Sequence, residues 1–156
     1  MDGGKYPASL VAKYFIKKST PKDNLTPLKL QKILYYTQGW YLANFERPLF
    51  EDRIEAWKFG PAIRSIYNEY RDFGNRPIIK SVSAGEVGDI DGETRKFLDK
   101  VWETYKGYSG GDLVFSTHHE LPWTKVRSDM DDSDSGGIEI TRGSMMDYFK
   151  KLISDG

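Results

Sequence analysis

Cysteine is absent from all 156 residues. That excludes a disulfide framework, a thiolate nucleophile and any zinc site built on thiolates. Histidine is nearly absent too: the two present, His118 and His119, are neighbours. Adjacent side chains on a helix point roughly 100° apart, so the pair is not arranged to share a metal ion. The string running from His118 to Trp123, HHELPW, also lacks the second histidine of a zinc-protease helix. Long apolar runs are missing: no stretch approaches the roughly 20 residues that span a bilayer, and the first residues carry no apolar signal core. A cytoplasmic location with no membrane partner is the resulting expectation. Net charge is missing as well, with 23 Lys+Arg against 23 Asp+Glu. Generic nucleic-acid binding draws on a basic footprint that displaces counterions, so this balance disfavours nucleic acid as a partner. Locally the balance breaks, because residues 1–32 hold seven lysines against Asp2 and Asp23. A DNA-binding regulator using the lysines of residues 13–32 is therefore the competing function.

The motifs that carry chemistry are also lacking. The glycines of Gly107-Tyr108-Ser109-Gly110-Gly111 have no P-loop lysine, and there is no Gly-x-Ser-x-Gly elbow. The acidic stretch 128–137, SDMDDSDSGG, resembles a calcium loop in composition. Counted from Asp131, however, the position of the bidentate Glu falls on Arg142; counted from Asp129, it falls on Ile140. A flexible, solvated acidic loop is the reading for this stretch. The expectation is a protein with no catalytic residues, no metal and no cofactor.

What the chain does have is aromatic bulk: ten Tyr, eight Phe and four Trp, 14% of the residues. That suffices for one core and leaves material for an interface. Residues 8–18 put Leu10, Val11, Tyr14 and Phe15 on one face and lysines on the other, the pattern of an amphipathic helix. Thr26 can cap the next helix with Pro27 at its first position. From Leu28 to about Phe45 the apolar arc is wide enough for a central helix touched from several sides, with Gly39 permitting close approach of a neighbour. Residues 54–59 alternate as a half-buried strand does, and 78–82 are the candidate for its partner. Pro61 is placed to start a helix through Ile63, Ile66, Tyr67 and Tyr70. Further helices are expected over 93–105, from the Ser109/Asp112 capping box through His118 to Pro122, and over 144–153. The fold class is mainly α, a single compact domain over residues 1–156. It comprises about six helices and a small two-stranded β element, with 128–137 as its flexible acidic loop.

Trp40, Tyr41, Trp57, Phe59, Tyr67, Tyr70 and Trp123 surround the two sharpest chain breaks, and Trp40, Tyr41, Trp57, Phe59, Pro61 and Trp123 are the candidate anchors for a partner. Large aromatics are usually core, yet Trp and Tyr also dominate interface hot spots.

The strings Leu25-Thr26-Pro27-Leu28-Lys29-Leu30-Gln31-Lys32-Ile33-Leu34-Tyr35-Tyr36 and Gln38-Gly39-Trp40-Tyr41-Leu42-Ala43 resemble the Panacea domain family. So do Arg47-Pro48-Leu49-Phe50, Ile54-Glu55-Ala56-Trp57-Lys58-Phe59-Gly60-Pro61 and, further on, Phe97-Leu98, Val101-Trp102, Tyr105, Thr117-His118 and Pro122-Trp123. The resemblance runs from about residue 8 to residue 150. Members are described as SocA-like antitoxins or as phage-associated genetic element protein A. The resemblance implies a protein that binds and inactivates a cognate protein toxin, and in the SocA-like branch one that hands the toxin to a protease. A protease or chaperone, or a second copy of the chain as a homodimer, are the further partners it leaves open, and a phage-associated interaction module is the alternative role. His119 departs from the family's pattern between Thr-His and Pro-Trp.

Overall fold

In the computed structural model, which describes residues 4–128, 130 and 137–155, one helix organises everything else. This helix, α2 (Pro27–Phe45), starts where side-chain chemistry requires. The Thr26 hydroxyl accepts from the Lys29 amide, and Pro27 occupies the first turn, where its missing N–H has no partner to lose. Fourteen of its residues are buried, on every side of the helix. α1 (Ala8–Lys18), α4 (Gly92–Tyr105), α5 (Gly110–Thr117) and α7 (Arg142–Asp155) pack against it. α7 comes closest. A Cβ on Gly39 would run into the ring of Phe149, which is why the middle of a well-formed helix carries a glycine here. Phe149 then packs edge-on against Tyr35, Tyr36 and Trp40, pairings favoured by the aromatic quadrupole.

A helix buried all round must also satisfy its polar side chains. Gln31 does so as a surrogate strand: its amide nitrogen donates to the Ile63 carbonyl at 2.9 Å and its oxygen accepts from the Ile63 amide at 2.8 Å. Two turns on, Gln38 repeats the device on Phe50 and Leu49. These clamps tie the chain on either side of the β-hairpin to α2. Lys29 is buried with its ammonium between the carbonyls of Asp23 and Lys106.

The sheet has three antiparallel strands in the order β2-β1-β3: β2 (Gly60–Ala62), β1 (Ile54–Trp57) and β3 (Glu139–Ile140). Two expectations about this region need correction. The partner of β1 is not 78–82, which forms no strand; Ile78 makes one bond to the Leu25 carbonyl and, with Val82, plugs the core. The pairing falls instead to the residues directly after the turn, Ala56↔Pro61 and Trp57↔Gly60, and to Ile54↔Ile140. Pro61 thus lies in an edge strand, where its missing donor faces no ladder. The helix after it, α3 (Arg64–Tyr70), begins three residues later than a helix started at Pro61 would.

Elsewhere, α1, α4 and the Ser109/Asp112 capping box of α5 stand where the patterning puts them. The expected helix from 109 to Pro122 divides in two. α5 ends at Thr117, and Pro122 sits in the first turn of a separate helix, α6 (Leu121–Arg127). The described residues therefore contain seven α-helices and a small three-stranded sheet, mainly α as expected. Most of the expected acidic loop, including Asp129 and residues 131–136, lies outside the described residues.

Candidate functional site

The β1–β2 hairpin turns in two residues, Lys58 and Phe59, and closes on Gly60 at φ +107°, a conformation that favours glycine. The tight turn pushes Phe59 into solvent, where it is 62% exposed. Behind the turn the hairpin is fixed from both sides. Trp123 on α6 donates its indole N–H to the Trp57 carbonyl at 2.8 Å, and Arg127 donates to the Ala56 carbonyl. On the other side Arg64 lies over the Trp57 ring, whose own N–H donates to the buried Glu55 carboxylate. Glu55 also accepts from Arg64 at 2.8 Å and pairs with Arg53. The aromatic tip therefore stands on a rigid base.

A hollow of about 500 Å³ opens beside the turn. Leu28, Trp57, Phe59 and Tyr67 form its walls, the buried Lys32 lies beneath it, and the exposed Lys58 and Arg71 line its edge. Leu28 and Tyr67 are 39% and 45% exposed, an unusual amount of apolar surface for one place. Among the described residues no Asp or Glu lines it. Lys32 is 2% exposed. Its ammonium donates to the Pro61 carbonyl at 3.0 Å, and among the described residues it has no ion pair. Desolvation brings its pKa down to about 7, because removing a cation from water without a counter-charge favours the neutral form. Gly60 lies against this side chain: a Cβ there would stand 2.6 Å from its Cε.

A second hollow, on the far side of the turn, is lined by Lys58, Phe59, His118, Trp123 and Thr124. His118 stacks on Trp123, with ring centroids 3.9 Å apart and planes 13° apart. Burial lowers the pKa of His118, with the Lys58 backbone acting in the opposite direction. His119 is exposed, with Nδ1 2.8 Å from the Phe115 carbonyl. Among the described residues no group of three or more His, Asp and Glu gathers in a way that could hold a metal ion, and no helix is long and apolar enough to cross a membrane.

Of the six candidate anchors, Trp57, Phe59 and Trp123 come together around the hairpin, with Pro61 buried beneath it as the acceptor for Lys32. Trp40 and Tyr41 do not join them. Trp40 lines a separate hollow with Phe45 and Phe97 and donates to the Tyr105 hydroxyl, while Tyr41 is in the core. Tyr67, one of the aromatics beside the chain breaks, completes the site together with Lys32, Leu28 and Arg71, which stand outside that aromatic set. Lys32 does leave a trace in the sequence, as a lysine on a helix whose apolar arc leaves little room for solvent-facing positions.

Glu120 is a further buried charge, and it serves the fold. Its carboxylate accepts from the hydroxyls of Tyr35 at 3.0 Å, Tyr36 at 2.7 Å and Ser116 at 3.1 Å, locking α2 to the α5–α6 junction. Burial raises its pKa, and those three hydrogen bonds work against the rise.

The family model described as antitoxin SocA-like, Panacea domain, matches residues 30–124, from the first turn of α2 into α6. Antitoxin SocA of Caulobacter vibrioides (strain NA1000 / CB15N) is 28% identical over 154 residues, covering 92% of this chain and 82% of the relative. No solved structure matches. On the strength of the model, which spans the hairpin, its hollows and the helix beneath them, the chain belongs to the family of SocA-like antitoxins with a Panacea domain.

Proposed function

We propose that this chain is the antitoxin of a toxin–antitoxin pair and neutralises its protein toxin by direct, non-catalytic binding through the face around the Lys58–Phe59 turn. The observation that carries this reading is membership of the SocA-like family, joined to an aromatic tip held outward on a rigid base. Exposed aromatic and apolar groups beside cations are the composition of interface hot spots. The reading treats residues 1–156 as one binding domain working in the cytoplasm, with no cofactor. Delivery of the bound toxin to a protease would be a second step acting on the same complex.

The DNA-binding alternative loses support from the placement of its lysines. Lys29 and Lys32 are buried, Lys17 donates to the Val82 carbonyl, and Lys13 and Lys18 face Glu86 and Asp99. Cations held in this way release few counterions on meeting a phosphate backbone.

The test is co-expression with the product of the adjacent gene. The expected result is growth arrest by that product alone, relief when this chain is present, and a complex that survives pull-down. Arrest that persists in the presence of the folded chain, with no complex, would overturn the proposal.

A further inference from the structure

We infer that the hollow beside the hairpin turn receives an acidic, apolar-flanked segment of the partner protein, with an Asp or Glu side chain of that segment pairing with the buried Lys32. This rests on the reading of the chain as a protein-binding antitoxin and names the chemistry that the site selects. Three observations converge on it. The hollow is walled by Leu28, Trp57, Phe59 and Tyr67, which suit bulky apolar side chains. Lys32, Lys58 and Arg71 contribute three cations with no carboxylate lining the same hollow among the described residues. Among the described residues Lys32 makes one hydrogen bond, to the Pro61 carbonyl, although an ammonium offers three donors.

A buried cation without a counter-charge disfavours the folded state, and an apolar residue of similar volume in its place is often neutral or stabilising. Lys29, three residues earlier, shows the structural use of a buried lysine, bridging two backbone carbonyls. Lys32 has one carbonyl and an open hollow. A partner carboxylate would supply the missing charge in a place where water is excluded and the pairing is correspondingly strong. The rival occupant is a single-stranded nucleic acid stacking on the aromatics. Such binding needs a continuous basic groove that tracks the backbone, whereas the cations here surround one pit.

The full-length chain is immobilised and panned with a random dodecapeptide display library. The enriched peptides are expected to place Asp or Glu beside Leu, Phe or Trp. One is synthesised with an amidated C-terminus and titrated by tryptophan fluorescence. Changing its acidic residue to the matching amide is expected to weaken binding at least tenfold, and so is Lys32→Met in the protein. Lys100→Gln, in the separate hollow near Trp40, should leave affinity within twofold. Lys32→Met is further expected to keep or raise stability at pH 7, which a purely structural lysine would not do. The inference is overturned if no acidic sequences are enriched, or if the amide peptide binds within twofold of the acidic one. It is also overturned if amidation of the C-terminus alone abolishes binding, or if dodecathymidylate displaces the peptide through a Lys32-dependent contact. A toxin neutralised equally well by folded Lys32→Met would overturn this inference and leave the antitoxin reading standing; selection of acidic peptides by a chain that neutralises nothing would do the reverse.

Discussion

Lys32 and Glu120 are both buried charges, and their surroundings decide what each does. Glu120 accepts from three hydroxyls and stitches two elements together. Lys32 has a single carbonyl, and desolvation brings its pKa from 10.5 to about 7. The sign of the resulting pH dependence follows from linkage. Between about pH 7 and the ordinary lysine pKa, the unfolded chain holds a proton at this position that the folded chain has released. The Lys32 contribution therefore makes stability rise with pH across that window, and the penalty is fully present below it. Above about pH 10 the buried tyrosines oppose the trend, since burial pushes the hydroxyls of Tyr14, Tyr70 and Tyr105 up to about 12. Urea unfolding at intervals from about pH 7 to about pH 9.5 is thus expected to show Lys32→Met more stable than the parent at the acid end, with the gap closing toward the alkaline end. A gap that stays constant with pH would mean that Lys32 titrates normally.

At the scale of elements, α2 explains both the readable and the unreadable parts of the sequence. Its start was legible because Thr26-Pro27 is local chemistry, as was the Ser109/Asp112 box of α5. The close neighbour at Gly39 was legible as a glycine with a cost, although only the tertiary structure says that the neighbour is Phe149. Pro61 was misleading for a reason of pairing. A proline after a glycine suits a helix start or an edge strand equally, and the register with Ala56 decides for the strand. The strand at 139–140 is two residues long, too short for alternation to reveal. At the site, the aromatics of the hairpin and Tyr67 were visible as composition, while Lys32 and Arg71 needed the fold to bring separate elements to one hollow. The α2–α7 contact yields a direct prediction. Gly39→Val should destabilise the protein by about 1–3 kcal/mol through overpacking against Phe149, outweighing the few tenths gained in helix propensity. Thermal or urea unfolding measures it; a stability equal to or above the parent would show that α7 does not lie against Gly39.

For the molecule as a whole, family membership and geometry bear on the same region. The match over residues 30–124 covers most of α2, the hairpin and the first half of α6, the elements around Phe59. That ring lies at the end of a turn, 62% exposed, so replacing it should leave the fold within about 0.5 kcal/mol of the parent, as for other surface changes. If the face around the turn is where a toxin docks, the same change should remove an interface anchor worth about 2 kcal/mol or more. The decisive measurement is therefore the affinity of Phe59→Ser, with its unfolding curve unchanged, for the toxin that the parent chain neutralises in co-expression. Binding weakened by about 30-fold or more, with neutralisation reduced in parallel, is the expected result. Full affinity in a folded Phe59→Ser protein would contradict docking at this face and require the toxin to bind elsewhere on the domain.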